Sequence, residues 1–113
     1  AWALSIGADF VNSARGFMFA LGCIQAMRCN ENTCPTGITT QDPRLQRGLV
    51  VMDKSERVAN YARNLMREVG IIAHSCGVDD PRELRRRHCR VVVDDGLSRS
   101  LEGLHPTPTA RGA

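Results

Sequence analysis

The sequence predicts an α/β piece that is mostly helical: one short strand and one helix joined as a βα unit, then a helical extension. Three observations carry that expectation. Strand formers within Gly7 to Ser13 precede an apolar stretch from Phe17 to Met27, with glycine at the turn between them. Apolar residues then recur at helical spacing from Val58 to Ile72. Lastly, Asp80-Pro81-Arg82-Glu83 has the residue types of a helix start.

Each element has its own warrant. Ala1 to Ile6 reads as the end of an apolar helix stopped by Gly7, so the chain is expected to be a C-terminal piece of something longer. Phe10 and Val11 favour a strand. Ser13-Ala14-Arg15-Gly16 is a tight turn, where Gly16 allows close backbone approach. From Phe17 to Met27 only Gln25 is strongly polar, the signature of a buried helix. Amides at such a helix start form a ready anion site.

Asn30 to Pro43 is a long loop, and long loops without structure of their own are usually functional or disordered. Arg44 to Met52 is transitional. Asp53-Lys54-Ser55-Glu56 reads as a capping box opening a helix. Its stripe is Val58, Tyr61, Ala62, Leu65, Met66, Val69 and Ile72, and Gly77 caps its end. After Val93 the pattern fades, with a turn at Asp94-Asp95-Gly96 and a disordered tail. The expected divisions are residues 1–52 with the cysteines, 53–93 as the helical extension and 94–113 as tail.

The chain has 113 residues, a net charge of +3 and a pI near 8.8. Its basic residues are dispersed apart from Arg85 to Arg90, which reads as a solvated helix end. Aromatics are only 4% and no recognition motif accompanies the run, so no nucleic-acid partner is expected. No apolar run reaches the ~20 residues of a membrane span. Five cysteines without a secretory signal point to metal or redox chemistry rather than a disulfide framework.

The chemistry concentrates at Cys23, Cys29 and Cys34, spaced C-x5-C-x4-C and followed by Pro35. Three readings stay open on spacing alone. Free cysteines are commonly buried, which suits Cys23 but not three so close together. Zinc favours shorter cysteine pairs and a fourth ligand, which only His74, Cys76, His88 or Cys89 could supply. An iron–sulfur cluster is held by thiolates, and a proline after the last cysteine is a feature of cluster loops.

Beyond spacing, Gly7-Ala8-Asp9, Ala20-Leu21-Gly22-Cys23 and the run from Cys29 through Asn32-Thr33-Cys34-Pro35-Thr36-Gly37 to Gln41-Asp42-Pro43 resemble the FMN-binding synthase domain of glutamate synthase. Gly48 to Val51 and the helix that follows are similar to the short glutamate-synthase-like subgroup. The resemblance implies the last βα unit and C-terminal extension of a (β/α)8 TIM barrel, most of whose ~250 residues lie elsewhere. It implies a 3Fe-4S cluster on Cys23, Cys29 and Cys34, and FMN with its phosphate near the amides of Ala14, Arg15 and Gly16. The large synthases show Gly-Thr where this chain has Ala14-Arg15, so backbone rather than side-chain contacts are expected there.

The implied activity is a cytoplasmic oxidoreductase. Electrons pass from ferredoxin or an NAD(P)H-dependent flavoprotein, through the cluster, to FMN, forming L-glutamate from 2-oxoglutarate and ammonia by way of 2-iminoglutarate. The remainder of the barrel upstream is an implied partner, and the isolated piece is expected to be inactive. The alternatives are a non-catalytic iron–sulfur electron-transfer module and a zinc-stabilised helical interaction module.

Overall fold

The computed structural model describes residues 1–94 and 96–107. Its helices are α1 (Trp2–Ser5), α2 (Arg15–Leu21), α3 (Pro43–Gln46), α4 (Val51–Ser75) and α5 (Leu101–Leu104). Its strands are β1 (Arg90–Val92) and β2 (Ser98–Ser100), and 3-10 turns stand at Cys29–Glu31, Pro81–Glu83 and Arg86–His88. The chain forms two compact units: Asn12–Met66, and Ala1–Val11 together with Arg67–Ala113. The boundary falls within α4.

In the first unit, α2 is shorter than its apolar sequence suggests. Gly22 takes φ +105° and ends it, five residues before Met27. The N–H of Gly22 donates to Phe19 O at 2.9 Å and that of Cys23 to Met18 O at 2.9 Å, a double bond pattern that closes a helix when a left-handed residue follows it. Cys23 therefore leaves the helix rather than riding on it. No residue of α2 is fully buried, and Phe19 is 43% exposed, so the expected buried helix is half-covered here.

The long helix starts at Val51, ahead of the expected capping box. Lys54 N donates to Val50 O at 2.9 Å, which places Asp53 inside the first turn, where its charge meets the positive helix end. Val58, Tyr61, Ala62, Leu65 and Val69 are covered along one face, as the stripe predicts, whereas Met66 and Ile72 are exposed.

The other unit differs most from expectation. Residues 7–13 form no strand: Gly7 N donates to Leu4 O at 3.0 Å, closing α1, and Phe10 is 77% exposed. A strand needs a neighbour for its amides, and among the described residues none pairs with this stretch. The sheet lies later in the chain. β1 and β2 pair antiparallel with Val91 opposite Arg99, and the hairpin closes through Gly96 N to Val93 O and Val93 N to Leu97 O, both 2.9 Å. So residues 98–104, read as tail, supply a strand and α5, with Leu101 buried. Asp95 and residues 108–113 of that expected turn and tail lie outside the described residues.

Asp80 does cap, accepting from Arg82 N at 2.8 Å and gripping the Arg82 guanidinium at 2.7 Å, which holds its carboxyl down to about 2. The helix it opens is only a 3-10 turn, because Leu84 swings to ψ 137° as it enters the core. The arginine run bonds to main chain: Arg86 donates to His105 O and Pro106 O, and Arg90 to Ser98 O. These guanidiniums tie carbonyls together.

α4 ends at Ser75 with Gly77 at φ +78°, where Val78 N reaches Ala73 O and Gly77 N reaches His74 O. A Cβ on Gly77 would meet nothing within 4 Å. Gly77→Ala should therefore cost the backbone penalty alone, about 1–2 kcal/mol, read as a lower urea midpoint with an unchanged slope.

Candidate functional site

The three cysteines are placed by three local devices. Cys23 follows the glycine that ends α2. The backbone then takes left-handed values at Gln25 and Met27, so the chain winds instead of continuing helically, until Cys29 opens a 3-10 turn. Such outliers cost roughly 1–3 kcal/mol each and persist where surrounding structure fixes them. Cys34 opens a tight turn with Pro35 in second position, closed by Gly37 N to Cys34 O at 3.2 Å.

The loop after Cys34 is held firmly. Thr40 Oγ1 donates to Asn32 O at 2.6 Å, and Gln41 N donates to Asn32 Oδ1 at 2.6 Å. Gln46 Nε2 donates to Thr40 O at 3.0 Å, tying α3 to the loop. Asp42 caps α3 through Arg44 N at 2.8 Å. Two glycines let the backbones touch: a Cβ on Gly48 would stand 2.9 Å from Thr36 O, and one on Gly37 would collide with Leu45 O.

Cys23, Cys29 and Cys34 line one cavity of about 450 Å³, together with Ala14, Arg15, Met18, Thr36 and Thr39 among others. Five of the six predicted site residues thus share one space. Gly16 does not line it. Its missing side chain makes room for Tyr61, whose hydroxyl and ring would strike a Cβ there and which meets Phe17 edge-on at 5.0 Å. The neighbour that approaches Gly16 in this chain is the Tyr61 side chain.

The thiols are chemically distinct. Cys29 is exposed, Cys23 half-buried and Cys34 buried, and all are free. The Thr36 hydroxyl beside Cys34 Sγ at 3.3 Å, seconded by the Thr39 backbone, brings its pKa from 9.0 down to about 6 against the opposing effect of burial. At neutral pH Cys34 is a thiolate, the form that binds metal. Thr36 and Thr39 were missed as functional residues from sequence. Their only signal was hydroxyls spaced closely after a loop cysteine, a pattern that usually means local turn bonding.

The donor set fits an iron–sulfur group. Three thiols line one cavity, and Cys34 is held toward its thiolate form by hydrogen bonds from Thr36 and Thr39. Among the described residues no three His, Cys, Asp or Glu side chains converge as a single metal ion requires. His74, Cys76, His88 and Cys89 do not line the cavity. At the start of α2, Ala14 offers no side-chain cap, so first-turn amides keep their donors for water or an anion.

Among the described residues no helix is long and apolar enough to cross a membrane.

The comparisons with known proteins bear on the same segment. The family described as the conserved region in glutamate synthase matches residues 1–79, which include the whole cysteine segment. The chain is 42% identical over 102 residues to the glutamate synthase large subunit-like protein YerD of Bacillus subtilis, covering 90% of this chain and 19% of that protein. It is 34% identical over 110 residues to the archaeal-type glutamate synthase [NADPH] of Thermotoga neapolitana, covering 96% of this chain and 22% of the relative. Against the glutamate synthase [NADH] of Schizosaccharomyces pombe it is 32% identical over 103 residues, 91% of this chain and 5% of that one. No solved structure matches. The chain thus spans about a fifth or less of the length of these relatives. With the family match covering the segment that builds the cavity, the chain belongs to the glutamate synthase family.

Proposed function

We propose that this chain is the cluster-bearing segment of a glutamate-synthase-like oxidoreductase. Residues 1–52 close an FMN-binding (β/α)8 barrel and 53–93 extend it. The whole enzyme forms L-glutamate from 2-oxoglutarate and ammonia through 2-iminoglutarate, in the cytoplasm, with electrons from ferredoxin or an NAD(P)H-dependent flavoprotein. When bound, a 3Fe-4S cluster supplies one-electron transfer and FMN supplies hydride delivery.

The chain's own residues hold and shield. Cys23, Cys29 and Cys34 ligate the cluster as thiolates. Thr36 keeps Cys34 ionised, and Met18, Phe19 and Ile24 give the cavity an apolar lining. The amides of Ala14, Arg15 and Gly16 approach the FMN phosphate, and Arg15 adds a positive charge. The observation that carries this reading is the shared cavity, where Ala14 and Arg15 line the same space as all three cysteines. That adjacency supports short-range electron exchange between the two groups.

The test is an anaerobic assay of the full-length gene product with a chemically reduced ferredoxin, 2-oxoglutarate and ammonium. Glutamate should accumulate, and none should form from the 113-residue chain alone. A full-length protein loaded with flavin and iron that forms no glutamate would overturn the substrate assignment.

A further inference from the structure

We propose that Lys54, seconded by Arg57, sets the reduction potential of the group held at Cys23. The inference rests on the iron–sulfur reading above and concerns a face of Cys23 which that reading leaves unused. A second cavity, about 400 Å³, is lined by Gly22, Cys23, Thr36, Lys54 and Arg57 among others. It shares Phe19, Cys23, Ile24 and Thr36 with the thiol cavity. Lys54 and Arg57 therefore share a cavity with Cys23, the one thiol that lines both spaces.

The placement of Lys54 is unusual for a lysine. It occupies the covered stripe of α4 one turn before Val58, and its side chain is only 17% exposed. Its ion-pair partner, Asp53 at 3.1 Å, is 57% exposed, so water screens much of that carboxylate's charge. Both cations stand beside the residue that precedes Cys23: a Cβ on Gly22 would lie 3.6 Å from Lys54 Nζ and 4.0 Å from Arg57 Nη1.

The sign of the effect follows from charge. A one-electron reduction of the group held at that site adds a negative charge. A fixed cation beside it stabilises the more negative state and raises the potential. Removing the cation lowers it.

The experiment is a redox titration of the full-length holoenzyme followed by electron paramagnetic resonance, with iron and sulfide measured alongside. Lys54→Met keeps the aliphatic stem and removes the charge. It should shift the reduction equilibrium roughly tenfold toward the oxidised form, a potential lower by ~59 mV. Arg57→Met should move it the same way by less, and Lys54→Arg should leave it at the wild-type value. Wild-type potentials in loaded Lys54→Met and Arg57→Met would overturn the inference, as would a drop in Lys54→Arg equal to that of Lys54→Met, which would mark a packing role. Should Lys54→Met fail to load iron, Arg57→Met decides alone, an unchanged potential overturning the proposal. A wild-type protein without iron and sulfide would overturn the underlying reading instead.

Discussion

Cys34→Ser is expected to strip the full-length protein of its iron, to under about a tenth of wild type, whereas Cys89→Ser retains all of it. Cys34 is the buried member of the three and the one with a depressed pKa. A serine hydroxyl in its place stays protonated near neutrality and is a harder donor than iron–sulfur chemistry favours. Cys89 lines no part of the thiol cavity. The pH dependence follows from the same thiol. Its folded pKa, about 6, lies below the ordinary 9.0, so the stabilisation from its ionisation is complete above the ordinary value and lost as pH falls through about 6. Iron retention should fall at acid pH, because protons compete for the ligand. Iron and sulfide analysis across pH reads both effects. Equal iron loss in the two serine variants would refute the ligand assignment.

Gly37→Ala should be severely destabilising. Gly37 sits at φ +80°, costing any other residue about 1–2 kcal/mol. Its Cβ would also drive into the Leu45 carbonyl, with Gln46 Cα at 3.1 Å behind it. Those are backbone atoms of α3, and Gly48 already holds the same contact closed from the other side through Thr36 O. The summed cost is about 3–4 kcal/mol, within the range of severe point mutations. The Thr36 hydroxyl and Cys34 ride on this turn, so iron content should fall with stability. A denaturant midpoint within 1 kcal/mol of wild type would contradict the packing described around Gly37.

Local chemistry was legible in the sequence where one residue type answers one backbone demand. Asp80 and Asp42 cap because a carboxylate before a proline has amides to satisfy. Gly77 ends α4 because it alone takes a left-handed φ freely. The stripe from Val58 to Val69 is covered at Val58, Tyr61, Ala62, Leu65 and Val69, as its spacing requires, and open at Met66. The end of α2 was not legible, because Gly22 lies among apolar residues that conceal a stop signal. Nor was the strand at 90–92, whose partner is paired only through the turn at Val93–Gly96. Phe10, Phe19 and Met27 favour burial yet stand exposed. Periodicity reports which side chains prefer cover and is silent on what supplies it. Of the site, the cysteine spacing was visible from the start. The hydroxyls of Thr36 and Thr39 needed three dimensions, because they meet Cys34 across a turn, and so did Lys54, which comes from another helix to line a cavity with Cys23.

The central claim is that Cys23, Cys29 and Cys34 together hold a multi-iron cluster beside a flavin. The most direct measurement is metal, sulfide and flavin content of the anaerobically purified full-length protein. About three irons with matching acid-labile sulfide and one flavin per chain are predicted. A colourless protein carrying a single zinc, or one with flavin and no iron, would contradict it.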